Sequence, residues 1–482
     1  MTKKDYSSYF APSLELARKR RTQEIQYITF NLPNSYKTMG DGKTYMVKTY
    51  GCQGNLSDSE KICGIMDSMG FEEVFSEADA DVLFFNTCAI RDNAEKRVFG
   101  ELGRLKGLKK KRPGMLVCVC GCMSQEEEVV NKIKEKCDQV DIVFGTHNIH
   151  KIPDYLASAY QNNSRVLDVW SYEGDIVEDV PQKRISKTKA WVQIMYGCDE
   201  FCTYCIVPYT RGTERSREPE AIIEEVKRLK EEGFIEVTLL GQNVNAYGKD
   251  LKDRTYSFAN LLRDLALTGI DRIRYTTSHP RDLDEDTMIV MSKYPNIMPH
   301  LHLPVQSGNN RVLKRMNRKY TREMYLEKVN MLKNYVPGIA LTTDIIVAFP
   351  GESDEEFRDT LSLVEEAGFE GAYTFIYSPR EGTPAAKMTD EFIDPLVAKA
   401  RLLELNKLIN EGFAKGNKRF EGTVQEVLVD GFSEKKDHLL TGYTKHNKLV
   451  NFEGDEELIG KLVNVKIIRA YTWHLLGELD NE

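Results

Sequence analysis

Residues 195–205 read MYGCDEFCTYC, and the cysteines in this stretch, Cys198, Cys202 and Cys205, have the spacing Cys-x3-Cys-x2-Cys. Thiols this close together point to metal or redox chemistry, yet a structural zinc and a closed iron–sulfur cluster each take four ligands. The spacing suits zinc, but the next Cys or His along the chain is His279. A four-iron cluster accounts for the count. Three thiolates hold three irons, and the fourth iron stays open for a substrate or cofactor, as a catalytic zinc keeps one position free. Seven further cysteines precede this loop, at 52, 63, 88, 118, 120, 122 and 137. Cys63 and Cys137 lie inside helix-like patterns and read as small buried hydrophobes.

The other chemistry-bearing cysteines depend on the elements that carry them. TYMVKTYGC, DVLFFNTC and GMLVCVCGC read as strands that end at Cys52, Cys88 and Cys122. Helical patterns alternate with them. In the first, LSDSEKICGIMDSMGF, Ser57 and Glu60 have capping-box spacing, and a stop is expected near Gly70. Strands alternating with helices predict a parallel sheet covered on both faces. The carboxyl ends of such strands share one edge, where ligands bind, so three cysteines distant in sequence are expected to meet there. Cys118, Cys120 and Cys122 alternate along one strand and share a face, which leaves Cys120 as an alternative to Cys122.

The same reading divides the chain. Residues 1–43 are a polar extension with a basic run at 18–21, residues 44–162 the first α/β domain, and residues 163–189 a charged linker. Residues 190–416 hold six strand–helix units, too few for a closed eight-stranded barrel of about 250 residues, so an open partial barrel is expected. Gln242, Asn243, Ser278, Gln306, Ser307 and Asp344 fall at its strand ends. Residues 417–480 are short β-rich runs broken by Gly and Asn, read as a small five-stranded barrel. The chain's 482 residues carry 41% hydrophobic and 29% charged residues with a net charge of -8, the balance of a soluble protein. There is no apolar run long enough to span a bilayer and no signal-like N-terminus, so a cytoplasmic, non-membrane protein is expected. The acidic total gives no global signal for nucleic acid. Residues 417–480 carry nine Lys and Arg against eleven Asp and Glu, so charge alone does not make that barrel an RNA binder.

The segments YGCQGNLSDSE, FNTCAIRDNAE, GCMSQ, YGCDEFCTYCIVPYTRGTERSR, LLGQNVNAYG, HLPVQSGNNRVLKRMNRKYT, TDIIVAFPGE and YSPREGTPAA span nearly the whole chain, and together the chain resembles the radical S-adenosylmethionine (SAM) methylthiotransferases. The resemblance implies an N-terminal parallel α/β domain, a central partial (β/α)6 radical SAM barrel and a C-terminal all-β TRAM barrel. It implies two [4Fe-4S] clusters, one on Cys198, Cys202 and Cys205 and one on Cys52, Cys88 and Cys122. The first chelates SAM through its open iron and splits the sulfonium C–S bond; the second carries the transferred sulfur. The implied reaction converts N6-isopentenyladenosine to 2-methylthio-N6-isopentenyladenosine at position 37 of tRNA anticodon loops. The C2–H bond is aromatic and not acidic, so acid–base side chains do not reach it, and none is assigned a catalytic role. Relatives within the family act on threonylcarbamoyl-adenosine or on a ribosomal protein, and a non-catalytic two-cluster RNA-binding or electron-transfer protein is a reading from another class.

On this reading the strand-end residues Gln242, Ser278, Gln306 and Asp344 are candidates to contact SAM. Arg211, Arg215 and Arg217, directly after the cluster loop, are candidates for phosphate contacts. In the C-terminal barrel Lys445, Lys448 and Trp473 are the leading RNA contacts, with Tyr443, Asn447, Tyr471 and His474 beside them. The expected partners are a tRNA anticodon stem-loop, whose unpaired bases can be splayed and stacked, and an electron donor such as flavodoxin or ferredoxin. A monomer is expected.

Overall fold

The computed structural model describes residues 6–19, 25–89, 92–434 and 436–480; Arg20 and Arg21 of the basic run lie outside them. The chain forms two compact units. One holds the residues up to Ile185 together with Met195–Asp199 and Cys205–Arg217; the other holds Ser186–Ile194, Glu200–Tyr204 and the chain from Glu218 onward.

The first unit is built on a seven-stranded parallel sheet in the order Tyr6–Phe10, Arg165–Asp168, Ile142–Phe144, Leu116–Cys120, Val82–Thr87, Thr44–Tyr50, Glu72–Glu73. Its strands are apolar on both faces because helices cover both. Val82 and Phe84 pack with Ile62, Met66 and Leu156 on one face, while Leu83 and Phe85 pack with Val98, Leu102 and Val130 on the other. Three expectations change here. The N-terminal extension supplies an edge strand, Tyr6–Phe10, paired with Arg165–Asp168. That partner strand lies inside the stretch expected to be a linker, and Ile176–Glu178 of the same stretch pairs with Tyr27–Thr29. The helix expected to be capped at Ser57 begins earlier and spans Gln53–Ser68, with Cys52 at its N-cap. Asn55 is the cause, since its side-chain oxygen accepts the Cys52 backbone N–H. Ser57 and Glu60 are buried inside the helix, where the Glu60 carboxylate pairs with Arg184 and accepts the Ile185 N–H.

The second unit contains six parallel strands in two runs of three. Lys189–Gln193, Glu236–Leu240 and Arg272–Tyr275 form one; His300–His302, Ala340–Val347 and Ala372–Ile376 form the other. A parallel bridge between Ile273 and Ile297 and the Met298 N–H to the Ile273 carbonyl carry the curve from one run to the next. This is the open partial barrel. Its last strands are backed by the long helix Pro395–Lys418. The strands Val424–Ser433, Lys436–Thr444, Leu449–Phe452, Leu475–Leu479 and Leu462–Ala470 then close a small barrel around Val427, Leu440, Val450, Phe452 and Ile467.

The small barrel is fastened to the partial barrel through the amino ends of the latter's strands, away from the carboxyl edge. The guanidinium of Arg272, 0% exposed, donates to the carbonyls of Tyr443 and Glu426 and to the Glu426 carboxylate. Arg274 pairs with Glu236 and donates to the carbonyls of Thr444 and Lys445. Each buried carbonyl that loses its donor costs about 1–3 kcal/mol. Arg272→Ala is therefore expected to loosen the C-terminal barrel, and limited proteolysis should release it several-fold faster than from the parent; an unchanged rate would show that this clamp carries no stability.

Candidate active site

Three strands of the first unit end in the cysteines that were expected to converge, and they do. Cys52 caps the helix after Thr44–Tyr50, Cys88 follows Val82–Thr87, and Cys122 opens a short 3-10 turn after Leu116–Cys120. The Cys88 thiol donates to the Cys52 sulfur, and that hydrogen bond lowers Cys52 to about 5; the Arg211 charge lowers it further. Cys122 lies close enough to feel the Cys52 charge. Burial pushes its thiol up, and Arg211 beside it opposes this.

A buried polar knot holds the loops at this spacing. Asn55 donates to the Asn86 side-chain oxygen at 3.2 Å, and Asn86 donates back to the Asn55 carbonyl at 2.8 Å and to Ser59 at 2.9 Å. Gly121, at φ 91°, lies so close over Asn86 that a Cβ there would come within 2.4 Å of its oxygen. Only glycine lets the chain turn there and deliver Cys122. Cys118 and Cys120 are instead packed in the sheet core, and burial raises both thiols.

Arg211 completes this cluster and has a role that the sequence reading missed. Its Nε donates to Cys122 Sγ at 3.1 Å, and its Nη2 pairs with Asp58 at 2.6 Å, both partners buried. The other two arginines of TRGTERSR are also turned inward. Arg217 makes a bidentate pair with Glu178, and Arg215 donates to the Gly174 carbonyl with its guanidinium 5.6 Å from the Tyr196 ring centre. All three are buried and engaged by these partners, where phosphate contacts were expected. Lys448, expected to contact RNA, is buried in an ion pair with Glu370. Lys445 pairs with Glu426 at 3.4 Å and stays partly exposed. Trp473 is 65% exposed, next to a stacked Tyr471–His474 pair.

Cys198, Cys202 and Cys205 lie within eight consecutive residues. In the first unit, Gly197 at φ 73° turns the chain against Thr213, and the Cys198 N–H bonds the Gly212 carbonyl. In the second unit, Thr203 is pinned by the Met316 and Arg315 carbonyls and the Ala385 N–H, while Asn317 donates to the Glu200 and Phe201 carbonyls. Arg318, buried, donates to Cys202 Sγ at 3.4 Å.

The carboxyl edge of the partial barrel shows two further marks of a site. Thr277, Gln306 and Ala348, each just past a strand, have left-handed backbones with φ of 64°, 70° and 58°. Such conformations cost non-glycine residues, most of all a β-branched one, and they concentrate at functional sites. Buried polar atoms there also make no hydrogen bond within the described chain: Asn243 Oδ1, Thr276 Oγ1, Ser278 Oγ and Gln306 Oε1. Such atoms need a partner. A ligand rich in amino, carboxylate and hydroxyl groups supplies partners of that kind, so the edge fits SAM, and the converging thiols of Cys52, Cys88 and Cys122 fit iron. Asp344 differs from the other candidates, since it faces His302 Nε2 at 3.3 Å below the edge. Gln242 lies in the turn after Glu236–Leu240.

Glu200, His279 and Asp282 also converge, with ligand-type atoms within 4.8 Å of one another. They do not suit a metal. His279 Nδ1 accepts the Arg281 N–H, so the ring proton sits on Nε2, which faces Glu200 at 3.6 Å. Arg281 binds Glu200 and Asp282, and Lys249 binds Asp282, so the carboxylates already have cations. Arg281 thus ties Glu200, two residues before Cys202, to Asp282.

Residues 44–145 match the uncharacterized protein family UPF0004, residues 192–364 the radical SAM superfamily, and residues 418–479 the TRAM domain. Among solved structures, the radical SAM methyltransferase TsrM of Kitasatospora setae shares the fold over 71% of this chain and 75% of its own, with a TM-score of 0.52 and 13% identity. The class is thus a radical SAM protein with an N-terminal sheet domain and a C-terminal TRAM barrel. The tRNA-2-methylthio-N(6)-dimethylallyladenosine synthases of Bacillus licheniformis and Bacillus subtilis are each 55% identical over 100% of this chain and 96% of their own, and that of Geobacillus thermodenitrificans is 55% identical over 100% and 93%. The chain belongs to this family of synthases. No helix among the described residues is long and apolar enough to cross a membrane.

The thiol environments predict a reactivity order in cluster-free protein. Cys52, exposed and lowered to about 5, is thiolate through the neutral range and loses that form only as pH falls through 5; Cys63, pushed up to about 12 by burial, stays a thiol. Iodoacetamide at pH 6.5 followed by peptide mapping should label Cys52 well before Cys63, and equal rates would contradict the arrangement.

Proposed function

We propose that this protein attaches a methylthio group to C2 of N6-dimethylallyladenosine in tRNA, using two iron–sulfur clusters and SAM. The observation that carries the proposal is the convergence of Cys52, Cys88 and Cys122 from three strand ends, beside a buried arginine, in a chain that also carries the Cys198, Cys202, Cys205 loop. Cys198, Cys202 and Cys205 would hold the cluster that engages SAM, and Cys52, Cys88 and Cys122 the second. When bound, these groups supply the one-electron chemistry that an unactivated aromatic C–H bond requires.

The chain's own residues position and select. Arg211 places positive charge against Cys122, and the Asn55–Asn86 pair fixes the cysteine loops. Ser278 and Gln306 offer buried hydrogen-bonding atoms at the barrel edge for SAM. One part of the barrel's inner wall, on its last two strands, carries apolar side chains. Thr374 bonds Asn406 of the outer helix, so strand alternation turns Tyr373 and Phe375 inward, opposite Asp344 and Ile346 in the register. Phe375 is 47% exposed on that inner face. A five-carbon group that buries about 100 Å² there gains roughly 2.5 kcal/mol, enough to separate modified from plain adenosine by about fiftyfold or more. A threonylcarbamoyl carboxylate gains nothing from such a wall. Among the barrel residues, exposed Trp473 with Tyr471 and His474 offers RNA a stacking surface. Flavodoxin or ferredoxin is the class of electron donor this reading requires, and the protein is read as a cytoplasmic monomer.

Anaerobic reconstitution should load about eight irons per chain. Replacing Cys52, Cys88 and Cys122 with Ala should halve that figure yet leave SAM cleavage, whereas replacing Cys198, Cys202 and Cys205 should halve it and abolish cleavage. Full iron in the first of these variants would refute the second cluster. Substrate identity is tested by offering the reconstituted protein, SAM, reductant and sulfide with unmodified, isopentenylated and threonylcarbamoylated anticodon stem-loops. Only the isopentenylated RNA should gain a methylthio group; equal product on the threonylcarbamoylated RNA would reassign the substrate.

A further inference from the structure

Each cysteine triad sets one sulfur against a buried arginine, but the two arginines are balanced differently. At the first-unit triad, Arg211 contacts Cys122 Sγ and is neutralised by Asp58 at 2.6 Å. At the loop triad, Arg318 donates from Nη1 to Cys202 Sγ at 3.4 Å, from Nη2 to the Pro304 carbonyl at 2.9 Å and from Nε to the Tyr320 hydroxyl at 2.9 Å. Tyr320 donates its own proton to the Val305 carbonyl and is uncharged. Among the described residues no carboxylate pairs with Arg318. The nearby Glu200 is bound by Arg281. A guanidinium out of water needs a counter-charge, and burial without one is strongly unfavourable. The Cys202 sulfur is the one contact able to supply it.

We propose that Arg318 is a positioning residue for electron entry: the anionic iron–sulfur group on Cys202 is its counter-ion, and its uncancelled charge raises that group's reduction potential, whereas Asp58 cancels the corresponding effect of Arg211 on the second group. The inference rests on the reading that Cys198, Cys202 and Cys205 ligate a cluster. The step concerned is the uptake of one electron from a low-potential one-electron donor, with no bond made or broken. A positive charge and a hydrogen bond at a ligating sulfur both favour the reduced, more negative state. The arrangement thus gives the group that must accept an electron a potential higher than its thiolate ligands alone would give, and leaves the other group without that help.

The test is an EPR-monitored redox titration of reconstituted full-length protein in which Cys52, Cys88 and Cys122 are Ala, so that the loop group is read alone. If this parent holds no iron, the ligand reading itself has failed. With iron present, Arg318→Gln is expected to lower the reduced-to-oxidised ratio at a fixed potential by about tenfold, a midpoint about 59 mV more negative. An iron-loaded variant with the parent midpoint would overturn the proposal. Should the Gln variant not fold, Arg318→Lys decides: with the charge kept, the ratio stays within about threefold of the parent, and a tenfold fall overturns the charge argument. The converse variant is Asp58→Asn in protein whose Cys198, Cys202 and Cys205 are Ala. Uncovering Arg211 should move the second group's midpoint positive, and an unmoved midpoint would overturn the role assigned to charge cancellation.

Discussion

An anionic sulfur set below a protein surface needs a positive partner that is itself held in place, and much of this fold serves that need. Arg211 lies in the segment Cys205–Arg217, which begins at the last loop cysteine and belongs to the sheet unit. Its ion pair with Asp58, on the helix that Cys52 caps, ties that segment to the strand-end cysteines. The neighbouring pairs act in the same direction: Arg217 with Glu178, Arg215 with the Gly174 carbonyl and Thr146 with the Thr210 carbonyl all bond the segment to the sheet unit. Loss of Arg211 alone would leave Asp58 buried without its cation and Cys122 without its donor, so the site and the local fold depend on one side chain.

The parts legible in sequence were those with a short period. Alternation of apolar strands and amphipathic helices gave the sheet, the partial barrel and the small barrel, and the recurrence of cysteine just past a strand placed Cys52, Cys88 and Cys122 on one edge. What was not legible depended on partners remote in sequence. TRGTERSR looks like a basic patch, and only Asp58 and Glu178, more than thirty residues upstream, turn it into internal ion pairs. The Lys448 ion pair was hidden for the same reason, since its partner Glu370 lies far upstream. Tyr6–Phe10 escaped because an edge strand needs only one paired side and shows no strong apolar pattern. The helix start at Gln53 escaped because Asn55, two residues into the helix, outcompetes the later capping box.

The barrel edge adds a second kind of constraint. Thr277, Gln306 and Ala348 are strained, and each is held by a hydrogen bond: the Thr277 hydroxyl to the Gly241 carbonyl at 2.6 Å, the Gln306 N–H to the Asp344 carbonyl of the adjacent strand at 2.8 Å, and the Ala348 N–H to Glu352 of its own loop at 2.7 Å. Beside two of these strained positions lie buried polar atoms with no hydrogen bond within the described residues, Ser278 Oγ and Gln306 Oε1. A fold pays in local stability for such atoms only where a ligand satisfies them.

Charge is spent inside the molecule, and this shapes how RNA can be held. Arg272 and Arg274 bind carbonyls of the small barrel, Lys448 binds Glu370, and the arginines after the cluster loop bind carboxylates, a carbonyl and a sulfur. The cations nearest the chemistry therefore fix geometry and are not free to neutralise phosphates. The small barrel exposes aromatic side chains: Trp473, bonded to Asn410 at 3.3 Å, and Tyr471, stacked on His474 with Arg469 lying 5.1 Å from the Tyr471 ring centre. Stacking on such surfaces is tolerant of sequence and suits unpaired loop bases. On the proposed function, discrimination would fall to the barrel interior, where Phe375 and Ile346 are paired in register and Phe375 is part exposed.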